Sequence, residues 1–128
     1  MIDKQEETER ILTTITNGIQ KLKGKDIIQI DLTTINHTEC NYFVICHGTS
    51  NTHTGAIAES VEEVTEEKLG LKVFHKEGYR NGIWILLDYG DIIVHVFQKE
   101  ARDFYDLEKL WADAKLTVIQ DEEINRHE

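Results

Sequence analysis

The stretch Gly82 to Phe97, GIWILLDYGDIIVHVF, constrains this chain more than any other. Two apolar runs, Ile83 to Leu87 and Ile92 to Phe97, flank a polar turn carrying Tyr89 and Gly90. Both runs have strand length and are rich in β-branched and aromatic residues, which predicts a β-hairpin. Side chains alternate across a strand, so Ile83, Ile85 and Leu87 point one way and Trp84 and Leu86 the other. Both faces are apolar. Such a hairpin either lies between two layers or covers a core with one face and meets a partner with the other. The turn leaves two registers open. A two-residue Tyr89-Gly90 loop sets Ile93, His95 and Phe97 beside Trp84 but needs a positive φ at Tyr89 in a type I′ turn. A three-residue Asp88-Tyr89-Gly90 loop with a left-handed Gly90 sets Ile92, Val94 and Val96 there, and is the preferred reading.

At 128 residues the chain is expected to form one domain, with enough length to bury roughly two-thirds of its unfolded surface. Its N-terminus, MIDKQEETER, has no apolar signal segment. No apolar run approaches the ~20 residues of a membrane span. The expectation is a cytoplasmic protein with no membrane partner. Two cysteines, Cys40 and Cys46, suit reduced buried thiols better than a disulfide or metal site. The net charge of −10, with only the sparse Lys21 to Lys25 run in opposition, disfavours direct nucleic-acid binding and suits a basic protein partner.

From the N-terminus, Ile11, Leu12, Ile15, Ile19 and Leu22 form one apolar stripe, predicting an amphipathic helix over Gln5 to Leu22. Asp26 to Leu32 alternates as a strand, and Tyr42 to Cys46 is a second, more uniformly buried one. A helix then runs from a cap at Ser50 or Asn51 to Gly70. A short strand at Lys72 to His75 leads to the hairpin. Beyond it, Phe104, Leu107, Leu110 and Trp111 fall at helical spacing, and Asp106 is placed to cap a short final helix. The predicted fold class is α+β: a two-layer domain in which helices cover a mixed β-sheet. The domain is expected to span 1–114, with 115–128 an acidic, flexible tail.

Several residues carry chemical possibilities. Gly48-Thr49-Ser50 joins a strand to a helix, where backbone amides can hold an anion, but an ordinary helix start is the favoured reading. Asp88 and Asp91 bracket the turn; without a third acidic residue at a local spacing, turn-making or partner contact is favoured over a metal site. His95, in an apolar strand, needs a partner if buried. His47 and His53 lack a ligand spacing, and no serine or cysteine has a base beside it. Trp84 is either a core residue or an interface anchor with Tyr89 at its edge.

The run Trp84 to Phe97, WILLDYGDIIVHVF, continued by EARDFYDLEKLW from Glu100 to Trp111, closely resembles the ribosomal silencing factor (RsfS, or Iojap-like) family. Lys23 to Ile27, Cys46 to Asn51 with His53, and Glu77-Gly78 also stand where that family has them. The resemblance covers roughly residues 8 to 114. It implies a nucleotidyltransferase-like topology, no catalysis and no cofactor. It also implies binding to ribosomal protein fourteen of the large subunit, which obstructs joining of the small subunit when nutrients are scarce. Carried onto this chain, the partner-binding residues are Trp84, Leu86, Asp88, Tyr89, Asp91, His95, Phe97, Arg102, Tyr105, Leu107 and Trp111. A homodimer through the same hairpin face is the other partner the resemblance implies. A degenerate nucleotide-binding protein is the second functional reading; no Asp-x-Asp pair follows Gly48-Thr49-Ser50, as a nucleotidyltransferase needs.

Overall fold

The computed structural model describes residues 3–35 and 40–120. The first helix, α1 (Lys4–Lys21), starts at Asp3, whose carboxylate accepts from the Glu6 amide at 2.8 Å while the Glu6 side chain accepts from the Asp3 amide. This reciprocal cap satisfies two amides the helix itself leaves unpaired. The second, α2 (Asn51–Leu69), is capped by Ser50 and ends at a left-handed Gly70, as its sequence signals predict. The two helices lie together, with Ser60 Oγ donating to the Gly18 carbonyl at 2.8 Å.

Six strands form one mixed sheet: β1 (Lys25–Asp31), β2 (Tyr42–Gly48), β3 (His75–Glu77), β4 (Trp84–Asp88), β5 (Ile92–Gln98) and β6 (Lys115–Val118), in the spatial order β3-β4-β5-β2-β1-β6. The central β2–β5 pair is parallel and its neighbours are antiparallel. Alternation divides the strands between two apolar clusters. Ile27, Val44, Cys46, Ile85, Leu87, Val94 and Val96 meet Leu12, Ile15, Ile19, Ile57 and Val61 of α1 and α2. On the opposite face Ile28, Ile30, Ile45 and Phe97 meet Ala101 and Leu107. These last two come from the short helices α3 (Lys99–Tyr105) and α4 (Leu107–Leu110). The long helices thus cover one face of the four central strands, and the short pair covers part of the other.

The structure departs from the sequence reading in four places. The hairpin pairs Trp84 with Phe97, Leu86 with His95 and Asp88 with Ile93, which puts Ile93, His95 and Phe97, and not Ile92, Val94 and Val96, on the Trp84 face. The loop is the two residues Gly90-Asp91: the Tyr89 amide donates to the Ile92 carbonyl at 2.9 Å, and Gly90 takes φ +89° at the first central position. A one-residue change of loop length moves every second-strand side chain to the other face. The strand expected at Lys72 to His75 lies later, because Leu71 and Val73 pack against the helix-side core and only His75–Glu77 pairs with β4. The apolar stripe from Phe104 to Trp111 is broken at Asp106, which adopts a left-handed conformation with φ +48° and separates α3 from α4. Finally, residues 115–118 form an edge strand on β1. Ile119 donates to the Ile27 carbonyl and packs against the core, so the sheet continues past the expected boundary at 114. Residues 121–128 of the expected tail lie outside the described residues.

Candidate functional site: an aromatic sheet face

On the face away from α1 and α2, aromatic rings from four elements run together. Trp84 lies against Phe97 (ring centroids 4.8 Å apart), His95 (5.9 Å) and Tyr105 (4.7 Å). Tyr105 meets Phe104 edge-on at 5.1 Å. Phe43 meets His95 edge-on at 4.5 Å and Trp111 at 6.0 Å. Edge-on and offset arrangements at these separations are the favourable ones for aromatic quadrupoles. Of the short helices α3 packs on β5 and β2, and on this side β4 is met by the ring of Tyr105. Trp84, Leu86, Phe43 and Ile93 are therefore half-buried, while Tyr105 is 49% and Phe104 80% exposed. Gly78 lets the chain cross close behind Trp84: at its φ of +92° a β carbon would collide with the Trp84 carbonyl oxygen, which only glycine avoids.

Of the residues expected at a partner surface, Trp84, Leu86 and Tyr105 lie in this patch, and Trp111 joins it through Phe43. Asp88 is half-buried on the same side; its carboxylate accepts from the Gly90 amide at 2.7 Å and so builds the turn. Asp91 is exposed at the tip, 3.9 Å from Lys4 Nζ. Among the described residues no group of three metal-ligating side chains assembles.

Five of the expected contact residues are buried. Tyr89 belongs to the opposite face: its ring is in the helix-side core and its hydroxyl lies 2.9 Å from Thr65 Oγ1. Burial pushes that hydroxyl up to about 12. Phe97 is wholly buried beneath Trp84, and Leu107 is in the core under the α3–α4 corner. His95 is 4% exposed. Arg102, 6% exposed, donates from Nη1 to His47 Nδ1 at 2.9 Å and from Nη2 and Nε to Glu108 at 2.9 and 3.1 Å. It ties α3 and α4 to β2, and a charge held so firmly inside is not free for a partner. His47 is shifted below the ordinary histidine range by burial and then by Arg102, against the opposing pull of Asp26.

At Gly48-Thr49-Ser50 the helix-start reading fits. The Thr49 amide donates to His53 Nδ1 at 3.0 Å, and Ser50 Oγ accepts from the His53 amide at 3.0 Å. His53 Nε2 in turn donates to the Leu22 carbonyl at 2.7 Å, closing the end of α1. The Thr49 amide and the Ser50 hydroxyl, two groups an anion would use, are thus engaged. Cys40 and Cys46 are both buried, and burial pushes the Cys46 thiol up to about 12, far from a reactive thiolate.

Phe43, Ile93 and Phe104 belong to the patch although the sequence reading did not select them. Phe43 and Ile93 are direct parallel partners, a pairing invisible without the sheet order. Phe104 and Leu107 fall on one helical stripe in the sequence, and the corner at Asp106 turns the two apart. The signal was Asp106 itself, since aspartate is one of the few residues that tolerate the left-handed region.

Together these features define a two-layer α+β domain with one closed and one partly open sheet face. A family model described as "ribosomal silencing factor during starvation" matches residues 5–128, and the chain belongs to that family. It is 42% identical over 97 residues to the ribosomal silencing factor RsfS of Bacillus subtilis, covering 76% of this chain and 80% of that one. It is 36% identical over 112 residues to that of Halalkalibacterium halodurans, covering 88% and 94%. The crystal structure of a Chromobacterium violaceum protein superposes with a TM-score of 0.77 at 31% identity, covering 90% of this chain and 95% of that one. Among the described residues no helix is long and apolar enough to cross a membrane.

Proposed function

We propose that this chain is a translational repressor that binds ribosomal protein fourteen of the large ribosomal subunit with the aromatic sheet face and obstructs joining of the small subunit, without catalysing a reaction. Family membership supports the ribosomal role. The single observation that carries the docking site is the contrast between the two sheet faces. One is packed against α1 and α2, while the other leaves Trp84, Leu86 and Phe43 half-buried and Tyr105 exposed. Tryptophan and tyrosine supply large rigid contact area and are over-represented among residues that dominate binding energy. The net charge of −10 suits a basic ribosomal partner and action in the cytoplasm, where ribosomes are met. Self-association through the same face would compete with the ribosome. Mixing purified separated subunits with the protein tests the reading: reassociation followed by light scattering is expected to fall with increasing protein. Unchanged reassociation together with no capture of the large subunit would refute it.

A further inference from the structure

His95 presents a puzzle of cost. It lies among Phe43, Trp84 and Phe97, with ring centroids at 4.5, 5.9 and 6.2 Å, in surroundings that suit a phenylalanine. Its Nδ1 accepts a hydrogen bond from Trp84 Nε1 at 3.1 Å. An indole nitrogen is only ever a donor, so Nδ1 must be bare and the ring proton must sit on Nε2. Nε2 is buried with no hydrogen-bond partner among the described residues. A buried, unpaired donor is a net expense to the fold, and an arrangement that keeps one needs a return elsewhere.

We infer that His95 is a positioning residue for the docking face: its neutral imidazole holds the Trp84 indole in one orientation across the sheet and so fixes the shape the partner meets. The inference rests on the docking role proposed for that face. His95 does not touch the partner; it acts through Trp84. Without the bond, the indole retains its ring contacts with Phe97 and Tyr105 but loses the one directional restraint on its rotation. A side chain ordered before binding loses less conformational freedom on binding. The neutral form persists through the physiological range because burial holds His95 down to about 4.

The test compares His95→Phe, which keeps the volume and aromaticity but removes the acceptor, with His95→Gln, whose amide oxygen restores one. The first readout needs no ribosome: hydrogen exchange and the NMR resonance of the Trp84 indole N–H, with Trp111→Phe assigning the second indole. His95→Phe is expected to melt at or above the parent temperature, to speed exchange at Trp84, and to bind isolated large subunits about fivefold more weakly, the worth of one net hydrogen bond. His95→Gln is expected to recover much of both properties. Unchanged indole exchange in His95→Phe, or faster exchange with unchanged affinity, overturns the positioning role. Trp84→Ala separates the two levels. If it too binds the subunit with full affinity, the docking face itself is misassigned; if it loses affinity while His95→Phe does not, the fault lies with the positioning role alone.

Discussion

Trp84 and Tyr89, five positions apart on the same hairpin, lie on opposite faces of the sheet, Trp84 on the open side against Tyr105 and Tyr89 in the helix-side core against Thr65. Their truncations should therefore separate stability from binding. Tyr89→Ala empties a core position and is expected to cost about 3–5 kcal/mol of stability. Tyr89→Phe removes only the hydroxyl contact and should cost about 1 kcal/mol, with large-subunit affinity unchanged. Trp84→Ala, from a half-buried site, should cost about 1–2 kcal/mol of stability and weaken binding roughly thirtyfold. Urea denaturation beside a subunit-binding titration measures both quantities, and a Tyr89→Phe protein with impaired binding would reverse the assignment.

The Arg102 guanidinium joins His47 of β2 to Glu108 of α4. Arg102→Leu leaves His47 Nδ1 without its donor, while Glu108, with 29% of its side chain exposed, can turn toward water. A loss of about 2–3 kcal/mol is expected. Because Arg102 also holds the His47 pKa down, NMR titration of the variant should find His47 protonating at higher pH than in the parent.

Acid should destabilise this fold through its buried histidines. His95 falls from an ordinary value of 6.5 to about 4 in the folded chain, and His47 is also lowered. Over that interval the unfolded chain binds protons that the folded chain refuses, so stability is full above about pH 6.5 and declines as pH falls toward 4. The His95 contribution to that decline is about 3 kcal/mol. Denaturation midpoints at pH 7.5, 6, 5 and 4.5 provide the measurement. The slope should flatten in His95→Phe.

Removal of residues after Ala114 deletes β6, its ladder to β1 and the Ile119 contact with the core. A loss of about 2 kcal/mol is expected, with faster amide exchange in β1. A flexible tail would produce neither effect. The test therefore distinguishes an integral strand from an appendage.

Much of the architecture is legible in the chain because local chemistry declares it. Ser50 and Gly70 mark the ends of α2 through hydrogen bonds made within a few residues, whereas the Asp3 cap of α1 lies two residues before the start that the apolar stripe predicts. The alternation in Trp84 to Leu87 separates the two faces of β4. What escapes is whatever depends on residues distant in sequence. The register follows from where one glycine's positive φ falls in the loop, and both loops considered were locally plausible. Lys115 to Val118 is exposed at every position, so no buried face repeats to announce a strand; it exists because β1 presents an edge. The burial of Arg102 depends on Glu108 and His47, only one of which is near in sequence. The candidate site was legible in its centre, Trp84, Leu86 and Tyr105, and misread where the register or the Asp106 corner decides orientation.

The parallel pairing of β2 with β5 joins Tyr42 to Ile92 and His47 to Phe97, with α2, β3 and β4 strung between. The aromatic face straddles this seam, drawing Phe43 from one side, Trp84 and His95 from the other, and Trp111 from beyond both. Its residues are spread from Phe43 to Trp111, so no single hairpin or helix pair contains it. A polypeptide growing from its N-terminus has the long helices and half the sheet well before it has the face. The surface comes into being only when the seam closes and Trp111 has been added. Whatever this face recognises, it recognises only once the chain has been made past Trp111.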